Sequence, residues 1–147
     1  MSYPPHPPQG SGPPPPNPYG RGPGGPREVV RPEDRSMALI AHLSTIASMI
    51  ISVGWLSFVG PLVVWFLYKN KSRFVRESAA GAFNFNLSMW LIAMVGWVCV
   101  LTIIGAVVGI PLLIFSGVAQ IVCHVIGAMK ANRGELYRYP FQLRILS

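Results

Sequence analysis

The sequence predicts an all-α integral membrane bundle of four helical segments, a short first hairpin plus two full-length spans, preceded by a disordered N-terminal tail. Three observations carry that prediction. The chain has 147 residues, of which 51% are hydrophobic and only 12% charged, about half the charge of an ordinary soluble domain. Residues 36–68 (33 positions) and 78–129 (52 positions) contain no Asp, Glu, Lys or Arg, and uncharged runs of that length read as membrane spans rather than core helices. Every Lys and Arg falls in three stretches that a four-segment chain brings to one side of a bilayer, as the positive-inside rule requires of the cytoplasmic face. A soluble enzyme or a free nucleic-acid-binding domain is therefore excluded, and the net charge of +7 marks orientation rather than affinity for nucleic acid.

Residues 1–26 hold eleven Pro and six Gly, a composition with polyproline II character and too little apolar area to offset the entropy of ordering. With no basic start followed by an apolar run, this stretch does not read as a secretory signal peptide. Residues 27–35 set Arg27, Arg31 and Arg35 against Glu28, Glu33 and Asp34, so residues 1–35 are assigned to the cytoplasmic tail.

As one straight helix the first uncharged run would be about 50 Å long, against a hydrocarbon core of about 30 Å. Gly54 and Gly60-Pro61 break it into a hairpin of two short helices, expected at 37–53 and 56–69. The second run divides at Gly105, Gly109 and Pro111 into helices expected at 75–103 and 107–131, and Asn132-Arg133-Gly134 reads as a helix stop with a left-handed glycine. The transmembrane domain is thus 36–131. In the remaining segment, 132–147, Tyr137, Tyr139, Phe141, Leu143 and Ile145 alternate with Arg138, Pro140, Gln142 and Arg144. Tyr beside Arg suits the headgroup region, so this segment is expected at the cytoplasmic interface.

Polar residues inside the spans are the candidates for function, because each costs free energy in hydrocarbon unless it is partnered. Helix three carries Glu77, Gly81, Asn84 and Ser88 on one face, with Asn86 off that stripe, and Asn84 is expected to meet another helix. Helix four carries Gly117, Gln120, His124 and Gly127 on one face, and helix one carries Ala38, His42, Thr45 and Ser52. His42, Asn84, Asn86, Gln120 and His124 are therefore the candidate interhelical polar positions. Two His without a carboxylate or thiolate at ligand spacing do not make a metal site, and Cys99 and Cys123 read as small hydrophobes. No acid–base pair or activated nucleophile is visible in the spans, so no catalytic residue, cofactor or metal is assigned. Lys69, Lys71, Arg73 and Arg76 in the basic connection are candidate contacts for anionic lipid headgroups.

Several local patterns occur in a characteristic order: His42-Leu43-Ser44, Gly60-Pro61 with Trp65, Phe74-Val75-Arg76-Glu77, Asn84-Phe85-Asn86, Asn132-Arg133-Gly134-Glu135 and Tyr137-Arg138-Tyr139-Pro140. Over about residues 36–146 this order resembles a bacterial family of small membrane proteins of unknown function, which itself looks like the twenty-kilodalton Tic component of the chloroplast inner-envelope protein-import translocon. The chain departs from that pattern in having Asn86 where Gln is usual and Glu77-Ser78 where an acidic residue and His are frequent. The resemblance implies a non-enzymatic, translocon-like or channel-like component of the bacterial plasma membrane with both termini cytoplasmic. The alternative is an accessory or scaffold subunit of a larger membrane complex or homo-oligomer, recruited through the Pro-rich tail or the small-residue helix faces. The bilayer itself is the first partner under either reading.

Overall fold

The computed structural model describes residues 30–147, and the expectations for the Pro-rich tail lie outside them. Four helices follow in order, α1 (Pro32–Ile51), α2 (Val59–Tyr68), α3 (Arg73–Val100) and α4 (Ala106–Asn132), and no strand occurs among the described residues. The protein is all-α, and α3 and α4 are long and apolar enough to cross a membrane.

The first helix starts earlier than expected. Pro32 occupies its first turn with Glu33 and Asp34 beside it, where a fixed φ and negative charge both favour a helix N-terminus. Asp34 also meets the Arg31 guanidinium through two contacts of 3.2 Å. The second helix is shorter than expected, ten residues or about 15 Å, because residues 52–58 are used in the turn. There Val53 and Gly54 both have positive φ, 52° and 91°, and the Ser52 hydroxyl accepts the Leu56 N–H at 2.8 Å. Gly60 then lets the two helices approach closely, since a Cβ at that position would lie 2.7 Å from Ser44 Cβ.

The third helix is capped by Ser72, whose hydroxyl accepts the Val75 N–H at 3.4 Å. Pro111 does not end a helix, as its place in the expected break implied, but lies inside α4. Six residues from the helix start it forfeits a single backbone bond, a small loss in a helix of 27 residues. At the other end, Gly134 (φ 74°) receives the chain in a left-handed conformation. Its N–H bonds the Ala131 carbonyl, and the Glu135 N–H reaches back to Lys130 O, each at 2.9 Å, which is the Schellman arrangement.

Each of α1 and α3 packs against the other three helices, and α4 packs against α1 and α3. The interior is built from small and polar side chains: Ala38, Ala41, Ala79, Ala82 and Ala131 are fully buried, and so are His42, Thr45, Asn86 and His124. Large aliphatic residues face outward instead, among them Ile51, Leu101, Ile103, Ile104 and Val107. This inversion of the usual soluble pattern is what a lipid solvent selects, because hydrocarbon stabilises an apolar exterior and leaves polar groups to find one another.

The segment after α4 does not lie on the surface. It runs back along α3, and Asn84 holds it: the amide oxygen accepts the Ile145 and Leu146 N–H groups at 3.0 and 2.9 Å, while Nδ2 donates to Leu146 O at 2.8 Å. Ser88 accepts the Leu143 N–H at 2.8 Å. Asn84 therefore partners a non-helical backbone rather than another helix, as expected from its face alone. Replacing it with Leu leaves three backbone groups without their partner. Asn84→Leu is expected to lower thermal stability in mild detergent by about 1–3 kcal/mol and to make bonds after Gly134 cleavable by limited proteolysis. An unchanged melting temperature together with an unchanged digest would show that the amide does not hold the segment.

Candidate functional site

Five side chains from four parts of the chain meet in the middle of the bundle. His42 and Thr45 lie one turn apart on α1, Asn86 comes from α3, His124 from α4, and Tyr139 enters from the C-terminal segment. The Tyr139 hydroxyl lies 2.8 Å from His42 Nδ1 and 2.9 Å from His124 Nδ1. On the far side of its ring, His124 Nε2 lies 3.0 Å from Asn86 Oδ1. Asn86 Nδ2 donates to Thr45 Oγ1 and to the Ser57 carbonyl, each at 3.1 Å, and Thr45 Oγ1 lies 3.4 Å from Ala41 O.

The directions of these bonds follow from proton counting. A carbonyl can only accept, so the Ser57 contact fixes the Asn86 amide with Nδ2 toward α1 and Oδ1 toward His124. That oxygen can only accept, so His124 Nε2 carries a proton. No carboxylate stands in either uncharged run to balance an imidazolium, so neutral rings are favoured; His124 Nδ1 is then an acceptor and takes the Tyr139 proton. The Tyr139 oxygen in turn accepts from His42 Nδ1–H. The chain thus runs one way, from His42 through Tyr139 and His124 to Asn86 and the α1–α2 turn. Burial raises the Tyr139 hydroxyl well above the ordinary phenol value, which keeps its proton available for donation.

Packing holds the rings in place. Phe85 stacks on Tyr139 with ring centres 4.7 Å apart and planes 24° apart, and Tyr137 meets the same ring edge-on at 4.6 Å. Gly127 makes the room, since a Cβ there would lie 3.0 Å from both His42 Nδ1 and Tyr139 Oη.

Of the candidate positions, the structure brings His42, Asn86 and His124 together, sends Asn84 to the C-terminal segment, and leaves Gln120 outside the network. Gln120 is buried, yet its Oε1 has no hydrogen-bond partner among the described residues. The basic connection is dressed with rings and one acid. Lys69 Nζ lies 4.5 Å from the Phe66 ring centre and 5.6 Å from that of Trp65, and Lys71 Nζ lies 5.5 Å from that of Tyr68. Arg73 pairs with Glu77 at 2.6 Å, and Arg76 Nε is buried without a hydrogen-bond partner. Tyr139 was missed among the site residues because its alternating aromatic and basic neighbours read as an interface. Its position four residues before Leu143 on a segment tied back by Asn84 has no local sequence signature. Among the described residues no group of three or more His, Cys, Asp or Glu could hold a metal ion.

A small helical membrane protein with an apolar exterior and a hydrogen-bonded polar core is the class that fold and site define. The chain belongs to the magnetosome magnetite crystal formation protein family, MamF/MmsF, whose family model matches residues 33–146. That match overturns the likeness to the chloroplast Tic component, for which nothing in the comparisons speaks; the motifs quoted for it are features of a membrane-protein family of magnetosome crystal formation. No curated protein and no solved structure gives a significant match.

Tyr139→Phe keeps the ring stack and removes the hydroxyl that both imidazoles use. The expected loss is about 1–3 kcal/mol, read as a lower unfolding temperature in detergent. Gly127→Ala is expected to destabilise comparably by pushing the same pair apart. Wild-type stability in both variants would mean that the shared hydroxyl contributes nothing.

Proposed function

We propose that this chain is a non-enzymatic structural component of the membrane in which magnetite crystals form, acting as a scaffold rather than as a conduit. The observation that supports this reading is the closure of its polar interior. Tyr139, His42, His124 and Asn86 spend their hydrogen-bonding capacity on one another, and all four are buried. Side chains that would line a pathway for ions or solutes are engaged in holding helices together. Family membership supplies the process, magnetosome magnetite crystal formation.

The charge distribution supports an orientation for such a scaffold. Lys69, Lys71, Arg73 and Arg76 between α2 and α3, and Arg133, Arg138 and Arg144 after α4, fall at the helix ends that a bundle of four antiparallel segments gathers together. With both termini cytoplasmic they face anionic headgroups or an acidic partner protein. The Pro-rich residues 1–26 then extend from the same face and offer a second point of recruitment.

Three measurements test this proposal. Expressed in a magnetosome-forming strain deleted for its own family members, the chain is expected to restore crystal size as seen by electron microscopy; no effect on the crystals would count against the role. Reconstituted alone, it is expected to show no ion flux between pH 5.5 and 8, and robust conductance from a pure preparation would return the channel reading. Single cysteines placed at Gly20, Asn70 and Ser147, in a background lacking Cys99 and Cys123, are expected to be shielded from external thiol reagent in intact cells. Labelling of any one from outside would sink the orientation.

A further inference from the structure

The half of the bundle away from the basic connection contains a cavity of about 200 Å³ between α1, α3 and α4, open on one side. Its walls include Met49, Trp55, Trp90, Met94, Trp97 and Gln120. Three of the four tryptophans of the chain therefore meet around one space. No charged side chain lines it, so an ionic ligand would find no counter-charge there. The single unanswered polar demand is Gln120 Oε1, buried without a donor on a side chain only 5% exposed. The neighbouring Ser116 hydroxyl does not answer it, since it bonds Leu113 O at 3.0 Å.

Such a space asks for a molecule that is neutral, mostly apolar and flat, with one hydrogen-bond donor. An apolar cavity of about 150 Å³ accommodates benzene, so this one has room for a single substituted ring. Indole faces bind another π-system in stacked or edge-on geometry, and Met sulfur adds favourable contacts with aromatic rings. A lone water would find too few polar partners, since ordered buried water makes about three hydrogen bonds. We propose that this cavity is a binding site for a single-ring phenolic molecule, whose hydroxyl donates to Gln120 Oε1 while its ring lies among Trp55, Trp90 and Trp97. Gly117, also in the wall, has nothing within 4 Å of the position its Cβ would take, so a larger side chain there fills the space without displacing the helices.

The test uses the tryptophans as reporters, because bromine quenches a nearby indole. The purified full chain carrying Trp65→Phe, which leaves only the three cavity tryptophans emitting, is titrated in mild detergent with 4-bromophenol and, separately, with 4-bromoanisole, which keeps the ring but lacks the donor. The phenol is expected to quench saturably and the anisole to bind at least tenfold more weakly. Gln120→Leu, or Gln120→Met if Leu impairs folding, is expected to erase that tenfold difference. Gly117→Leu is expected to abolish saturable quenching while leaving the unfolding temperature near that of the parent. A third arm replaces the detergent with phospholipid brominated on its acyl chains. Strong quenching of all three tryptophans that 4-bromophenol does not relieve would assign the cavity to a lipid chain and overturn the proposal. Linear quenching that is equal for both probes, or saturable quenching unaffected by the Gln120 and Gly117 variants, would overturn it equally.

Discussion

One phenol hydroxyl shared by two imidazoles holds the middle of this protein together. His42 on α1 and His124 on α4 do not bond one another directly; they meet through Tyr139, which belongs to neither helix. Around that hydroxyl the sizes of the neighbours become intelligible. Gly127 is small because two polar atoms stand where its side chain would be. Ala38, Ala41, Ala79, Ala82 and Ala131 let helices approach until His124 can reach Asn86 and Asn86 can reach the turn between α1 and α2. Hydrogen bonds between transmembrane helices average well under 2 kcal/mol each, so their value here lies in number and direction. A one-way chain of donors and acceptors admits few alternative packings of the same helices.

The remaining cohesion is van der Waals contact among small residues, because in a bilayer the large aliphatic side chains on the outside gain nothing by turning inward. The third helix takes most of this contact, touching all three other helices and the returning C-terminal segment. It buries two polar stripes in consequence. Asn86 and Thr45 serve the helix interface, whereas Asn84 and Ser88 serve the backbone of residues 143–146.

That double burial explains what could and could not be read from the residues. The number of helices, the long pair after the basic connection and the stop at Gly134 were legible, since uncharged length and a left-handed glycine are local properties. The limits of α2 were not, because an uninterrupted apolar run offers no capping residue to mark where turn gives way to helix. Asn84 was assigned to the correct side of its helix and to the wrong kind of partner, as a helical stripe reports burial without saying what covers it. Tyr139 was least legible: it lies 97 positions from His42, and its neighbours, Arg138 and Pro140, carry an interfacial composition. Gln120 and His124 share one face of α4, one turn apart, yet one ends in the network and the other beside the cavity. The interior divides between them, and periodicity alone does not show that division.

The place of Tyr139 in chain order has a consequence for biogenesis. All four helices are made before the residue that joins them, and a ribosome shields a few tens of residues of nascent chain. Until the C-terminal segment is released and threads back along α3, His42 and His124 sit in hydrocarbon without the hydroxyl both require. The inserted helices therefore remain an open, loosely held assembly that lipids or chaperones can enter, and the bundle locks only when translation is done. A protein built this way reports its own completion: a chain shortened before Tyr139 inserts as well as the full one but never closes, and membrane proteases can tell the two apart.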